Sequence, residues 1–488
     1  MRTRCLLIAC QLAMAMPASA RIWTDDQGRK VDADYGGRKG DDVLLVMKSG
    51  LKKSFPLAKL CAEDQAFVTE QEKMAGAAAA DVDYLKLPPP APHTPIEKRL
   101  WPVEVIVGTG SVNPSELPPK GSSHFYRLGR FQFETGPDLS VPVVKEIART
   151  FVAVEELIER LPWDLRPTPA NGEYFVAKLY QNLPEYAAVA PANSGGFYSL
   201  TEKVFHVPYA ALGITHDSKK GWVKSKEFDS DTLIHELTHM MMDRIVPYVP
   251  IWVAEGSAEY VEAIPFSNTG VMRPGDLPKA LPGYIAEMTK SNPRIALSSQ
   301  PVARAATMVK VLHMSHEAWH SFIENAPPPP EAPPGFRIIG NPEIGARQRD
   351  LYLHACLLFY YFLHLDNPRQ RGEPMLSFFD AVSDNVPKWH LWRTAYDRYR
   401  SEVVDYQKAW EEFKTQPGVE DLGGGRIRYP KTLQPPASPK EPPTPFDLEK
   451  VSDEDPGLVL IDRLIQGRSD EELAAAFREG FARIGIKL

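Results

Sequence analysis

The chain has 488 residues, 43% of them hydrophobic, which is enough apolar material for two or three domains with substantial cores and excludes a chain that is disordered throughout. Its 63 acidic and 56 basic residues give a formal net charge of −7, a mildly acidic balance that argues against nucleic-acid binding.

The N-terminus has the composition of a secretory signal peptide. Two arginines precede an apolar run over residues 5–16, and the small residues that follow place cleavage after Ala20. We predict that residues 1–20 are removed and that the protein is exported to the periplasm or the extracellular space. Lipid anchoring at Cys10 is the disfavoured alternative, because only about five apolar residues precede it and a signal peptide needs 7–15. No later stretch reaches the roughly 18 apolar residues of a membrane span, so we expect no span.

Residues 21–72 alternate short apolar segments with Gly and Asp, a pattern that predicts short strands and turns and hence a small all-β domain. The segment resembles the Sla-type homology domain, a compact Src-homology-3-like barrel. The resemblance is carried by the opening Arg21-x-Trp23-Thr24-Asp25 and the closing Pro56-Leu57-x-Lys59-Leu60-x-x-x-Asp64. Members of that family are protein-interaction modules, so the resemblance implies a protein partner. The alternative is a domain that only caps or spaces the rest of the chain.

Two proline-rich segments divide the remainder of the chain. The first turns from alanine-rich to proline-rich, and the second begins with Gly423-Gly424-Gly425; both compositions are typical of linkers. A capping box at Ser469 and Glu472 opens a closing helical segment. The predicted order after the β domain is a linker, an α+β body with a helical C-terminal lobe, a second linker and a helical segment, over residues 73–98, 99–422, 423–448 and 449–488.

Within the body, one stretch carries metal-binding chemistry. His235 and His239 are four residues apart, so on an α-helix both imidazoles project from one face and can bind a single Zn²⁺, with Glu236 beside the metal. Zinc-dependent hydrolysis needs three protein ligands, an open position for water and a base that takes the proton of that water. The two histidines supply two ligands, and Glu236 is the natural general base.

The third ligand must come from elsewhere in the chain. Pro250 forces a turn before a second helix that begins near Ile251, and this helix would bring Glu255 back against the first. Glu259, one turn further on, would then accept a hydrogen bond from a ligating histidine. We predict Glu255 as the ligand, with Glu259 as the open alternative.

These two motifs resemble those of the gluzincins, zinc peptidases in which HExxH is followed by a ligand glutamate on the next helix. The run Trp252-x-x-Glu255-Gly256-x-Ala258-x-Tyr260 is similar to the third-ligand segment of their aminopeptidase branch, although the gap after His239 is shorter here. The resemblance implies a zincin-like fold, a Zn²⁺ cofactor and a peptide or protein substrate. It also implies that a metal-activated water attacks the peptide bond with Glu236 as general base.

A further segment, Tyr352-x-His354-Ala355, resembles the part of that branch that supplies a transition-state tyrosine, where the tyrosine opens a helix. His354 stands where the family usually has lysine. The resemblance implies that Tyr352 is catalytic and stabilises the oxyanion of the tetrahedral intermediate. The alternative is an apolar core residue, because the helix predicted over residues 352–363 is the most apolar in the C-terminal lobe.

A second HExxH copy begins at His316 and ends at His320. Its histidines flank the bulky Trp319, and it runs into prolines at 327–330 with no comparable glutamate helix after it. Because HExxH arises by chance in helices rich in His and Glu, we predict the metal at the first copy. Metal at the second copy and no catalytic metal at all are the alternatives.

Hydrophobic periodicity supplies the frame around the predicted site. Apolar residues at helical spacing predict a helix over residues 142–161, and alternating ones predict strands near Phe131 and over residues 174–180. The strand Val204–Val207 precedes the catalytic helix and is predicted as a sheet edge that an extended substrate can join, with an interior strand as the alternative. Two cysteines follow the signal peptide, and we expect both to be lone buried thiols: Cys61 and Cys356.

The sequence therefore predicts an exported zinc metallopeptidase. The competing hypothesis is a secreted binding or scaffold protein in which the N-terminal module is the working part and the zinc site is structural or vestigial. Glu236 favours the enzyme, because a structural zinc site needs ligands but no base.

Overall fold

The chain is made of two compact units. One includes Pro90–Asp384 and Glu449–Leu488, and the other is formed by Met14–Pro89 and Asn385–Leu448. The computed structural model describes residues 21–39, 42–47, 52–68, 86–108, 112–169, 173–190, 194–200, 202–225, 230–267, 269–289, 303–327, 341–367, 371–422, 426–444 and 456–488. The predicted signal peptide, Cys10 and the glycine run at 423–425 lie outside these residues.

The N-terminal sheet confirms the predicted small β domain. Its four antiparallel strands follow chain order and are β1 (Arg21–Thr24), β2 (Lys30–Lys39), β3 (Asp42–Met47) and β4 (Lys52–Pro56). Trp23 is fully buried, and its indole N–H donates to the Ala33 carbonyl at 2.7 Å. It packs with Leu45, Leu60 and Val68 into a small core of its own.

This region differs from the predicted all-β barrel in two ways. Residues 62–68 are helical (α1), and Phe67 of that helix packs edge-on against Trp23 with ring centroids 5.7 Å apart. A helix therefore covers part of the sheet. Among the described residues no ladder joins β4 to β1, so no closed barrel is present there; a single bridge between Asp25 and Leu60 returns the chain to the end of β1.

A six-stranded mixed sheet frames the body. Its strands are β6 (Ser115–Lys120), β7 (Ser123–Leu128), β8 (Phe131–Thr135), β9 (Phe175–Tyr180), β10 (Phe197–Ser199) and β11 (Val204–Pro208). Across the sheet they lie in the order β10-β11-β9-β8-β7-β6. β9 is parallel to both β8 and β11, and the other pairings are antiparallel. The strands predicted near Phe131 and over residues 174–180 are confirmed by β8 and β9.

The prediction that Val204–Val207 forms the sheet edge is wrong. These residues belong to β11, which lies between β9 and β10, so the alternative of an interior strand is correct. β10 turns back antiparallel and takes the edge, with Tyr198 opposite Phe205. A three-residue strand preceded by two glycines is too short to show alternation in the sequence.

Helices supply the rest of the body and the C-terminal part of the chain. They are α2 (Val141–Arg160), α3 (Leu183–Ala187), α4 (Asp231–Met241), α5 (Ile251–Glu262), α6 (Leu277–Thr289), α7 (Ala305–Leu312), α8 (His316–Glu324), α9 (Pro342–Tyr360), α10 (Glu373–Lys414), α11 (Asp462–Ile465) and α12 (Asp470–Ala482). Short strands complete the described elements: β5 (Val105–Ile106), β12 (Ile214–Asp217), β13 (Gly221–Lys224), β14 (Phe266–Ser267), β15 (Val271–Met272), β16 (Glu420–Asp421) and β17 (Ile427–Arg428).

Helix α2 confirms the helix predicted over residues 142–161 and joins the sheet to α4. Its Phe151 is fully buried and meets Phe131 and Phe205 edge-on, with ring centroids 5.6 and 5.7 Å apart. Such edge-to-face pairs stabilise a core beyond the area they bury. The aromatic core therefore fixes α2 on the strands that lead to the site.

Three helices surround the predicted metal site: α4, α5 and α9. α5 begins at the predicted residue, because Pro250 occupies its N-cap with the φ that proline fixes. α5 packs against both α4 and α9. The apolar run predicted as a core helix is buried along residues 352–363, within α9 and the short π-helix Tyr361–Leu365 that continues it.

Proline-rich residues just before the body are anchored to it. His93 Nδ1 lies 3.1 Å from Asp164 Oδ2, and His93 Nε2 lies 3.0 Å from Asp384 Oδ1. Arg99 donates to Asp380 Oδ2 at 2.8 Å. The end of the predicted linker at 73–98 therefore packs within the same unit as the body.

Other local predictions concern termini and thiols. The capping box opens α12: Ser469 Oγ accepts from the Glu472 amide at 3.3 Å, and Glu472 Oε2 accepts from the Ser469 amide at 2.8 Å. Both cysteines are free thiols as expected, with Cys356 buried and Cys61 only half-buried. No helix within the described ranges is long and apolar enough to cross a membrane.

Candidate metal centre

The structure brings the two predicted histidines of α4 together. His235 and His239 are one helical turn apart and buried, and their Nε2 atoms lie 3.2 Å from each other. Most residues around the two histidines in α4 are apolar, and nearly the whole helix is buried. Two imidazole nitrogens from one helix thus point to a common position, as the spacing predicts.

Glu255 on α5 completes a triangle of donor atoms. Its Oε2 lies 3.4 Å from His235 Nε2 and 3.6 Å from His239 Nε2. Tetrahedral zinc with bonds of about 2.0–2.2 Å separates its ligand atoms by about 3.3–3.6 Å. The three observed separations therefore fit one tetrahedral ion held by His235, His239 and Glu255.

The polar groups of Glu255 support the same fit. Both carboxylate oxygens are buried, and no donor among the described residues reaches them with hydrogen-bond geometry. The facing imidazole nitrogens lie beyond the roughly 2.7–3.2 Å of an N–H···O bond. Burial raises the pKa of Glu255, but His239 and His235 oppose it and the pKa falls to about 2. An ionised carboxylate without donors, facing two imidazoles, is suited to share a cation with them.

Glu236 lies beside this triangle and not within it. It is 1% exposed, and its Oε2 accepts a hydrogen bond from the Tyr198 amide of β10 at 3.3 Å. Its Oε1 is buried with no hydrogen-bond partner among the described residues. Burial raises the pKa of Glu236, against the opposing charge of the two histidines. A carboxylate with a raised pKa and one oxygen available has the properties of a general base.

A second set of carboxylates faces the other ring nitrogen of His235. Glu259 Oε1 lies 3.2 Å and Glu262 Oε2 lies 3.3 Å from His235 Nδ1. Tyr284 of α6 donates its hydroxyl proton to Glu259 Oε2. Neither contact with His235 Nδ1 has hydrogen-bond geometry, but carboxylates at these distances are placed to orient His235 and to fix its tautomer.

Sequence reasoning found part of this second set. It gave Glu259 the role of hydrogen-bond partner, but it missed Glu262 and Tyr284. The i, i+3 spacing of the two glutamates was a usable signal, because such residues share a helix face. Tyr284 carried no local signal, since it reaches Glu259 from another helix.

Tyr352 lies against the candidate metal centre but does not open a helix as its family resemblance suggests. It is inside α9, which begins at Pro342, and the tyrosine is 5% exposed. Its ring is nearly parallel to that of His235, with centroids 5.9 Å apart. Gln348 donates to the Tyr352 hydroxyl at 3.4 Å. Tyr352 is therefore a buried residue next to His235, and its catalytic role stays a prediction.

The second HExxH copy forms helix α8 but assembles no comparable centre. Trp319 between its histidines is buried and tilts against Tyr352, with ring centroids 6.0 Å apart. Within the described ranges, no group of three ligand-bearing side chains includes His316 or His320. The buried triad lies at the first copy.

Comparison with known proteins identifies only the N-terminal region. Residues 12–75 match the model of SLA1 homology domain 1, SHD1, which confirms the domain predicted for residues 21–72 and suggests a role in protein interaction. No curated protein and no solved structure matches the chain. The gluzincin resemblance of the body therefore rests on its residues and their geometry alone.

Proposed function

We propose that the protein is an exported zinc metallopeptidase that hydrolyses peptide bonds, with Glu236 as general base. The observation that supports this most is the buried triangle of His235, His239 and Glu255, whose donor atoms are 3.2, 3.4 and 3.6 Å apart. Zinc bound there would supply Lewis acidity and an activated water. A base next to such a triangle distinguishes a hydrolytic centre from a structural one.

In the proposed reaction, Glu236 transfers the proton and Tyr352 stabilises the oxyanion. Glu236 takes a proton from the attacking water through its available Oε1, and the water oxygen bonds to the scissile carbonyl carbon. Glu236 then passes the proton to the amine nitrogen as the carbon–nitrogen bond breaks. Tyr352, whose ring stacks on His235, is our proposed hydroxyl donor to the oxyanion.

The open edge of the sheet supports an extended peptide as the substrate. Among the described residues β10 pairs only with β11, so its other side offers the Tyr198 carbonyl to an added strand, while the Tyr198 amide already donates to Glu236. That side faces Glu236, because the Tyr198 amide donates to the carboxylate. A peptide added there would pass beside the general base.

Replacement of Glu236 by Gln tests the proposal. The variant keeps the shape of the side chain and loses the base, so cleavage of denatured casein and of a peptide library should fall by about 10²–10⁴-fold while zinc content is unchanged. Glu317→Gln is the matched control, because Glu317 holds the same position in the second HExxH copy and is exposed. Activity should require zinc and disappear with a chelator.

Protein interaction through residues 21–72 is a second proposed function, favoured by the SHD1 match. Both functions can belong to one protein, and protein interaction replaces the peptidase proposal only if the zinc site is structural or vestigial. Zinc-loaded protein that cleaves nothing, with Glu236→Gln indistinguishable from the unmodified chain, would favour this scaffold function over the peptidase.

A further inference from the structure

The hairpin of β10 and β11 is tied to the catalytic helix by its backbone. In an antiparallel pair, alternate residues bond to the partner strand and the others face away. Tyr198 faces away from β11, because its amide donates to Glu236 Oε2 at 3.3 Å. The position of β10 therefore decides where one oxygen of Glu236 is held.

A second tie joins the same hairpin to Asp243, two residues beyond the end of α4. Lys203 Nζ lies 2.7 Å from Asp243 Oδ1. The Tyr198 side chain faces the same carboxylate, and burial together with the charge of Asp243 raises the pKa of Tyr198. Asp243 is 7% exposed. Tyr198 lies on β10 and Lys203 directly precedes β11, so one buried carboxylate faces both arms of the hairpin and is ion-paired with one of them.

Lys203 has a backbone conformation that favours glycine. Its φ is +58°, a left-handed conformation that glycine adopts freely and other residues seldom do. Lysine differs from glycine here by the ammonium group on Asp243. The ion pair with Asp243 offsets the cost of placing a residue with a side chain at such a turn.

We propose that Tyr198, Lys203 and Asp243 form a clamp that holds the open edge of the sheet in register with Glu236. Tyr198 and Lys203 are positioning residues: the clamp fixes the Tyr198 amide, the amide fixes Glu236 Oε2, and Oε1 is thereby aimed at the water and the substrate. The proposal rests on the proposed function of Glu236. Because a displacement of about 1 Å can cost about 10²-fold in rate, a loose edge strand would impair the base without removing it.

Tyr198→Phe tests the clamp, since it removes the hydroxyl and leaves the backbone amide in place. We expect kcat for peptide cleavage to fall by about 10–100-fold, with KM little changed and zinc retained. Amide hydrogen exchange over residues 197–208, followed by mass spectrometry, should become faster. Tyr126→Phe is the matched control: Tyr126 of β7 donates to Asp138 at 2.7 Å in the same sheet, and its loss should change neither kcat nor exchange in that segment.

Lys203→Gly provides a second variant that suits the backbone better and still lacks the ammonium. It should lower kcat and make amide hydrogen exchange over residues 197–208 faster, as Tyr198→Phe does. If Tyr198→Phe does not fold, this variant tests the clamp. Unchanged kcat and unchanged exchange in these variants would overturn the clamp. If the unmodified protein cleaves no peptide, the proposed function fails, and exchange alone decides the clamp: faster exchange in both variants but not in Tyr126→Phe supports it, and equal exchange in all three refutes it.

Discussion

His235 presents its two ring nitrogens to two different sets of carboxylates, and each set together with His235 forms a group that could hold a metal ion. Nε2 faces His239 and Glu255, whereas Nδ1 faces Glu259 and Glu262. A third ligand has to reach an ion that is shared by the Nε2 atoms of His235 and His239, so it must lie on the Nε2 side of His235. Glu255 meets that condition, and Glu259 is placed to hold the imidazole from behind.

Metal content should follow this division. We expect His235→Ala, His239→Ala and Glu255→Ala each to abolish stoichiometric zinc in folded, dialysed protein, because each removes a ligand. Glu259→Ala should keep zinc with an affinity about 10–100-fold weaker. The control pair, His316→Ala and His320→Ala, should leave the metal untouched. Zinc lost from Glu259→Ala but kept by Glu255→Ala would reverse the assignment of the third ligand.

Tyr352 allows a separate test at the same scale. If its hydroxyl stabilises the oxyanion, Tyr352→Phe should lower kcat by about 10²–10³-fold while zinc stays bound. The ring that stacks on His235 is retained in phenylalanine, so the metal centre should keep its geometry. An undiminished kcat would leave Tyr352 with a packing role only.

At the scale of elements, α5 and α9 approach each other closely beside the candidate site. A Cβ on Gly256 would lie 2.5 Å from the Ala355 carbonyl oxygen and 2.9 Å from its carbon, both backbone atoms. Helix α9 therefore packs directly on the backbone of α5 beside Glu255. Glycine at this position permits the contact that places Glu255, the proposed third ligand.

Gly256→Ala should separate the two helices. Overpacking of this kind costs about 1–3 kcal/mol in the free energy of unfolding, and zinc affinity should fall with it, since Glu255 precedes Gly256 directly. Gly283→Ala on α6 is the control, because a Cβ there meets no atom within 4 Å and alanine favours a helix by about 0.5–1 kcal/mol. Urea unfolding and zinc titration of both variants give the comparison. Equal free energies of unfolding in the two variants would show that α9 can shift away from α5 without destabilising the fold.

Some features of these elements follow from local sequence, and others depend on the tertiary fold. The helical spacing of His235 and His239 is local, and the start of α5 is set by Pro250, so both were predictable from the chain alone. The edge position of β10 depends on how six strands are ordered, and the contact of Tyr284 with Glu259 depends on where α6 packs. Neither is encoded in a local pattern, and the edge was assigned to the wrong strand.

At the scale of the whole molecule, the sequence located the SHD1 region but not the anchoring of the proline-rich residues that precede the body. Proline-rich composition predicts an extended linker over residues 73–98. His93 near its end nevertheless bonds Asp164 and Asp384, residues far away in the sequence. Contacts of such long range follow from the tertiary fold, and composition gives no sign of them.

The His93 anchor should make stability depend on pH. Burial lowers the pKa of His93, but the facing carboxylates of Asp164, Asp380 and Asp384 outweigh it, and the net pKa is raised above the ordinary 6.5. Arg99 is the cation that faces the same cluster. A raised histidine pKa gives stability that is fully present below pH 6.5 and is lost as the pH rises through the folded-state pKa.

Asp164 contributes in the opposite direction. Burial raises its pKa, but hydrogen bonds from His93 and Thr94 lower it below the ordinary 3.8, so its contribution is present above that value and is lost in stronger acid. Both groups therefore stabilise the fold most between about pH 4 and 6.5. We expect His93→Gln to lower the urea midpoint clearly at pH 5.5 and by less at pH 8.5. His216→Gln, at an exposed histidine on β12, should show no such difference. A deficit of equal size at both pH values would mean that His93 anchors the segment as a neutral group.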